Sequence, residues 1–330
     1  MRISSGMEYS TLHNNLGRLQ ESNYFNMLRN ITGKDIQSIA DAPTRFMDVK
    51  KLVAQKNMKE NYINVMEHAM AEMRQAEDFA IANSDLMLQI KDLAVYSTNP
   101  AYDGNVSSVG EFIKGIMTDM IRNANGDFNG KYLFSGTKTT PNNIQADYPT
   151  MTNMPFQLIY GEGTAENPSG LSVIFKGNTD NRTINKDAHS DEVINLNPAA
   201  AFGAGGTAFF QPIIELYNVL QFTQDGEPRD SLDSLNREEK EMINNLQRQV
   251  AENIDTLNKN IAIFASRRVR METVSLQMKE EVIRIDEVRS LKEDTNTPKI
   301  LTELAKEEAA LQYSLAAGAR IQKHTLFNFI

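Results

Sequence analysis

The chain has 330 residues, 41% of them hydrophobic, a formal net charge of -9, sixteen Met, no Trp and no Cys. Its length and apolar content support more than one core and two or three domains. Without cysteine there is no disulfide framework, thiolate metal site or cysteine nucleophile, and the acidic balance disfavours a general attraction to nucleic acid phosphates.

No window approaches the roughly 18 uninterrupted apolar residues of a membrane span. The opening MRISSGMEYSTLHNNLGRLQESNYF lacks the apolar h-region of a signal peptide, so neither Sec-type export nor a membrane anchor is expected. Tyr9, Leu12, Leu16 and Leu19 then form a narrow helical stripe, with Asn23 where it would have continued, before a break at Ile31-Thr32-Gly33.

From Asp41-Ala42-Pro43 to about Tyr96 apolar or small residues recur at Tyr62, Met66, Ala69, Met73, Ala76, Ala80, Met87, Ile90 and Ala94, with Asn83 as the one polar member. Steps of four and three predict one long helix over 44–96. At 1.5 Å per residue it would run roughly 80 Å, which reads as a rod. Asp41 is placed to cap this helix and Pro43 suits its first turn.

After Asn99-Pro100 and the turn Asp103-Gly104-Asn105, a shorter helix is expected through Val109, Phe112, Ile113, Ile116, Met117, Met120 and Ile121, ending at Asn125-Gly126 and returning against the rod. NGDFNGKYLFSGTKTTP, residues 125–141, then reads as the exit from helical structure: Asn129-Gly130 turns the chain and Tyr132 to Phe134 begins extended structure. Residues 137–208 hold 5 of the 10 prolines and 7 of the 18 glycines, with short apolar runs such as FQLIY and LSVIF, so a β-rich insertion is expected. Within it, Asn178 to Glu192 reads as a polar surface loop and Gly203-Ala204-Gly205-Gly206 as a linker.

Helical character returns at Phe209 and in a stretch from about Arg237 to Asn296. Ile254, Leu257, Ile261, Phe264, Arg268, Met271, Ser275, Met278, Val282, Ile285 and Arg289 occupy consecutive a/d-type positions, a second rod to pair with the first. The polar members Arg268, Ser275 and Arg289 either set register against the first rod or mark a seam chosen one residue off. Past Pro298, Leu301, Leu304, Leu311 and Leu315 make another narrow stripe, with Glu308, Gly318 and Gln322 at its continuations. Gly33 and Pro298 are taken as mobile spacers between the terminal stripes and the rods. Stripes this narrow are marginal alone, so each end is expected to need a partner and to become ordered on assembly. The final Leu326, Phe327, Phe329 and Ile330 put four large apolar side chains on a free end, which calls for a docking groove or a neighbour.

The fold class expected is mainly α with an inserted β-rich domain: long antiparallel coiled-coil-like helical rods, both termini at one end and the insertion at the other. The divisions are 1–42 and 298–330 (helical assembly segments), 43–136 and 209–297 (the rod) and 137–208 (the insertion). No catalytic constellation is found. His13, His68, His189 and His324 are scattered and form no HExxH pair; Asp180, Asp187, Asp191 and Glu192 lack EF-hand spacing; and no GxSxG, P-loop or GxGxxG fingerprint is present. Neither a cofactor nor a metal is expected.

The start MRIS, the stretch ITGKDIQSIADAP (Ile31 to Pro43), NGKYLFSG (Asn129 to Gly136) and the ending SLAAGARIQKHTLFNFI together resemble bacterial flagellar hook-filament junction proteins, the third hook-associated proteins, which are relatives of flagellin. The resemblance covers both ends well and the middle poorly. Asp41-Ala42-Pro43 stands where that family reads Asp-Asp-Pro. The resemblance implies a structural adaptor between a layer of the first hook-associated protein and the flagellin filament, self-associating in a junction layer. It also implies export through the flagellar channel to the cell exterior without a cleaved signal peptide, and a cytoplasmic chaperone holding the C-terminal helix. Assembly contacts are assigned to Leu12, Leu16, Leu19, Leu304, Leu311, Leu315, Leu326, Phe327, Phe329 and Ile330. The rivals are a flagellin, which shares the helical ends, and an enzyme carried by the insertion.

Overall fold

The computed structural model describes residues 5–99, 106–144, 153–230 and 233–327. In chain order the elements are α1 (Ser5–Thr32), α2 (Pro43–Ser97), α3 (Val106–Ala124), β1 (Asp127–Phe128), β2 (Lys131–Tyr132), β3 (Phe156–Tyr160), β4 (Leu171–Phe175), β5 (Thr183–Asn185), β6 (Asp191–Val193), α4 (Pro198–Phe202), α5 (Gln211–Gln221), α6 (Arg237–Glu293) and α7 (Thr297–Phe327). The expected turn at Asp103-Gly104-Asn105 lies outside the described residues. The chain divides into two compact units, 1–60 with 279–330, and 61–278. Those divisions fall inside α2 and α6, whereas the sequence boundaries at 42/43, 136/137, 208/209 and 297/298 mark changes of composition.

Both long helices use the seams read from their heptads. In α2, Met66, Ala69, Met73, Ala76, Ala80, Asn83, Met87, Ile90 and Ala94 are all buried. None of the eleven seam residues of α6 is exposed, so the off-by-one alternative falls. Arg268 sits in the seam because its Nε donates to Glu77 on α2 at 3.0 Å; alongside, Ser84 donates to Asn258 at 2.8 Å. A polar group in a seam is tolerated when paired and then fixes which residues face each other. Ser275 Oγ is buried without a partner among the described residues.

α3 buries Val106, Val109, Ile113, Met117, Met120 and Ile121. Phe112, expected with them, is 66% exposed, because a three-residue step from Val109 carries it past the buried face that Ile113 continues. α3 packs on α5, where Gln221 Nε2 donates to the Ser107 carbonyl at 2.7 Å.

The insertion is built of separate antiparallel hairpins rather than one sheet, β3 with β4 and β5 with β6, and β1 pairs with β2 just ahead of it. In β3-β4 Phe156 pairs with Phe175 and Tyr160 with Leu171. Two-stranded ribbons are marginal alone, and these lie on helices. Phe156, Leu171, Ile194, Leu196 and Phe202 belong to one hydrophobic cluster with Met73, Met120 and Ile213. The segment Asn178 to Glu192, expected to be a loop, forms β5-β6. Its polar sequence concealed how it is held: Arg182 pairs with Glu72 on α2, and Glu192 pairs with Lys186 at 2.9 Å and Arg270 on α6 at 3.6 Å. The glycine run 203–206 is not a loose linker either. Gly203, Gly205 and Gly206 all have positive φ, and a Cβ on Gly203 would meet Phe209 at 2.7 Å.

Candidate assembly interface

In the unit formed by residues 1–60 and 279–330, α1 packs along α7. Leu12, Leu16 and Leu19 are half-buried on one stripe of α1, and Asn26 continues it, buried. A Cβ on Gly318 would lie 2.8 Å from Leu12 Cδ2, so glycine there lets the helices approach. Farther along, Ser22 Oγ and Asn26 Nδ2 both donate to Glu307 Oε1, at 2.5 and 2.9 Å. Leu12 opposite Gly318 and Asn26 opposite Glu307 make the pair antiparallel.

The stripe on α7 runs through Ile300, Leu304, Glu307, Leu311 and Gly318. Leu315 and Leu301, expected in the same stripe, are 54% and 51% exposed. They sit one residue past the half-buried Ser314 and the buried Ile300, about 100° around the helix. Glu308 likewise points outward while Glu307 takes the seam. On α1, Tyr24, Met27 and Ile31 are exposed at three- and four-residue spacing, a second apolar row beside the buried one. Leaving such side chains in water forgoes about 1.5 to 3 kcal/mol each relative to burial. The side chains of Leu326 and Phe327, in the last turn of α7, and residues Phe329 and Ile330 lie outside what is described.

The connectors between terminal and long helices, expected to be mobile spacers, are tied to each other. Lys34 and Asp294 form an antiparallel bridge, Thr295 N donates to the Gly33 carbonyl at 2.9 Å, and Asp35 N to the Glu293 carbonyl at 2.7 Å. Gly33, at φ 69°, supplies the left-handed turn that ends α1. Lys34 Nζ reaches Glu293 Oε1 at 2.6 Å, and Arg45 reaches Asp35 at 3.1 Å and the Lys292 carbonyl at 2.6 Å. Pro298 lies within the first turn of α7 rather than ahead of it, where its missing N–H costs no helical bond. Asp41 does not cap α2. Its carboxylate accepts from the N–H groups of Ser38, at 2.7 Å, and Gln37, at 2.9 Å, and these bonds hold its pKa below the usual carboxylate range.

Between α2 and α6 in this unit, Lys292 donates to Asp48 at 2.6 Å, Lys59 to Glu281 at 2.5 Å, and Lys56 to Asp286 at 3.2 Å. Hydrogen bonds from these lysines hold all three carboxyls below their ordinary values of 3.8, 4.5 and 3.8, Arg289 adding to the effect at Asp286. A carboxyl with a folded pKa below its unfolded one stabilises at neutral pH, and that contribution disappears as pH falls through the folded value. The melting temperature of the full chain, followed by circular dichroism, should therefore be nearly flat above about pH 5 and decline below about pH 4.5. Added salt should shrink the difference, since the pairs are exposed. A melting temperature that rises on acidification would contradict the assignment.

In the other unit, α3 ends at the stretch Asn125 to Gly136. Asn125 uses its side-chain amide as a strand would use its backbone, donating to the Phe156 carbonyl and accepting from Phe156 N, both at 2.8 Å. Asn129 and Gly130, at φ 52° and 74°, form the two-residue turn between β1 and β2, the type favoured by Asn-Gly. Leu133 and Phe134 are buried, and the Phe134 ring meets Phe202 edge-on at 5.4 Å. Gly136, at φ 67°, leaves room for Asn178: a Cβ there would lie 2.1 Å from the Asn178 carbonyl oxygen. Asn178 in turn accepts from Thr137 N at 2.8 Å and donates to Thr137 Oγ1 at 2.7 Å. The motif thus fastens the end of α3 to the hairpins that follow.

Residues 3–139 match the family model of the bacterial flagellin N-terminal helical region. None of the curated proteins matches the chain. Among solved structures, a putative flagellar hook-associated protein from Vibrio parahaemolyticus is similar with a TM-score of 0.59 at 16% identity, over 77% of this chain and 99% of that one. Flagellar hook-associated protein 3 from Legionella pneumophila is similar with a TM-score of 0.52 at 10% identity, over 74% and 97%. FlgL from Bacillus cereus covers 74% of this chain at 15% identity with a TM-score of 0.48. The first two establish a shared fold.

Proposed function

We propose that this chain, carrying a flagellin-type N-terminal region on a hook-associated-protein fold, is a non-enzymatic structural adaptor at the junction between the flagellar hook and the filament. The observation that carries the reading is the conjunction, in one chain, of paired terminal helices with exposed apolar rows and the NGKYLFSG exit from the helices. The first feature is what a polymer subunit needs, and the second is where the sequence resembles junction proteins. On this reading Leu12, Leu16, Leu19, Leu304 and Leu311 serve assembly by pairing α1 with α7 within a copy, and Leu315, Leu326, Phe327, Phe329 and Ile330 face the neighbouring copies. The neighbours are the first hook-associated protein on one side and flagellin on the other. The subunit leaves the cell through the flagellar channel without a cleaved signal peptide, a chaperone covering its C-terminal helix beforehand.

A deletion strain provides the test. Cells lacking this chain should build hooks and shed unpolymerised flagellin into the medium; full filaments on such cells would refute the proposal. The match to a flagellin region favours one second reading, the filament subunit itself. Labelling the protein on intact flagella separates the two, since a junction protein marks a single band where hook meets filament and a flagellin marks the whole length.

A further inference from the structure

The unit 61–278 has an outward face on each long helix that its own core does not use. With the buried seams taken as positions a and d, the outward positions are b, c and f. Over 78–96 of α2 these are Asp78, Ile81, Ala82, Asp85, Leu88, Gln89, Asp92, Val95 and Tyr96. Ile81, Leu88 and Val95 recur every seven residues and are 43%, 37% and 49% exposed. Asp78, Asp85 and Asp92 form a parallel row about 60° around the helix, and no basic residue stands among the nine.

The outward positions of α6 over 259–277 are Lys259, Ala262, Ile263, Ser266, Val269, Arg270, Thr273, Leu276 and Gln277, all exposed. They hold two cations and no carboxylate; Val269 and Leu276 lie in line with Ala262, and Ile263 stands about 100° to one side. Arg270 touches Glu192 at 3.6 Å but its side chain is still 62% exposed. Each face is nineteen residues long, about 28 Å of helix. An acidic face with an apolar row and a basic face with exposed apolar residues are therefore displayed by the same unit.

We infer that these faces dock on each other between copies, the outward face of α2 on one molecule seating against the outward face of α6 on the next. The occupant of the acidic face is a second copy of this chain, identified by charge complementarity. Because the two faces differ, the contact is heterologous: it leaves a free acidic face at one end and a free basic face at the other. It therefore propagates into a ring or a helical layer instead of closing as a pair. This inference rests on the reading of the chain as a subunit of a layer and supplies that layer with a lateral contact apart from the terminal helices.

Charge reversal tests it with two variants of the full chain. One carries Asp78→Lys, Asp85→Lys and Asp92→Lys, the other Lys259→Glu and Arg270→Glu. The positions are exposed, so both should fold, which circular dichroism checks. Small-angle scattering up to millimolar protein reads association. Each variant alone presents like charges on both faces and should associate at least tenfold more weakly than the unmodified chain. An equimolar mixture should regain association, since the reversed α2 face of the first variant meets the reversed α6 face of the second, and the unaltered α2 face of the second meets the unaltered α6 face of the first. Association unchanged in either variant, a mixture that stays dissociated, or an unmodified chain that is monomeric throughout would overturn the lateral contact. A normal flagellin-shedding phenotype in the deletion strain alongside any of these would leave the junction reading standing and remove only this face from it.

Discussion

Phe134→Ala should destabilise the 61–278 unit by about 3 to 5 kcal/mol, the range for truncating a fully buried aromatic side chain. The ring is 0% exposed, and its neighbour Phe202 is itself 4.9 Å from Phe156 and stacked at 5.7 Å on Phe210. A hole at Phe134 opens beside a cluster of rings held by α4, β3 and the turn before α5, all of which would have to shift to fill it. Close packing allows only part of that relaxation. Urea denaturation of the full chain, with hydrogen exchange at α3 and β3 to localise the change, measures the loss. A cost below about 1 kcal/mol would mean that the site collapses freely. Gly136→Ala serves as a comparison that removes no volume. At φ 67°, with the Asn178 carbonyl oxygen where a Cβ would stand, it should destabilise by strain and displace Asn178 from Thr137. If both variants melt the same hairpins, NGKYLFSG acts as one fastening.

Much of this architecture could be read from the chain because heptad spacing is a long, redundant signal. The a/d residues of α2 and α6 were identifiable individually, down to the polar members Asn83 and Arg268, since each sat between correct neighbours on both sides. Errors gathered where only two or three residues carried the pattern. On α7 a choice between Leu304-Glu308 and Leu304-Glu307 decides which residues face α1, and hydrophobicity favoured Leu301 and Leu315. The structure instead uses Ile300 and a charged Glu307, whose burial makes sense only once Ser22 and Asn26 are seen donating to it. Phe112 differs: seven apolar residues mark that helix, and a face that wide lets the adjacent Phe112 read as one of its members.

Contacts distant in sequence were illegible for a different reason. Nothing local in NTDNRTINKDAHSDE announces a hairpin; Arg182 finds Glu72 on another element, 110 positions away. The connectors at Gly33 and Thr295 read as breaks because glycine and proline end helices, and their pairing with each other is a property of the fold. For the candidate interface, the Leu12, Leu16 and Leu19 stripe was visible, whereas the exposed flank of Tyr24, Met27 and Ile31 emerges only after the inner partner of α1 is known.

Arg229→Met should cost about 3 to 5 kcal/mol, because it breaks a buried ion pair and leaves one charge behind. Arg229 and Glu239 have side chains only 3% and 8% exposed and meet at 2.6 Å. The same Arg229 Nη2 donates to the Val219 and Phe222 carbonyls, each at 3.1 Å, near the end of α5, where helical carbonyls lack intrahelical partners. Glu239 is also engaged in capping α6. Its Oε2 accepts from Asn236 N and its own N–H donates to Asn236 Oδ1, both at 2.8 Å, the reciprocal arrangement of a capping box. One guanidinium thus joins the end of α5 to the start of α6, and methionine, of similar length and no charge, would strand the carboxylate and the carbonyls together. Hydrogen exchange at α5 and the first turns of α6 should report the loss first. The double variant Arg229→Met with Glu239→Gln should cost less than the sum of its singles, since glutamine carries no charge to strand and can still accept from Asn236. Strict additivity, or a single-variant cost near zero, would show that the pair is solvated in solution and that packing of Leu235 and Leu246 holds the junction of the two helices without it.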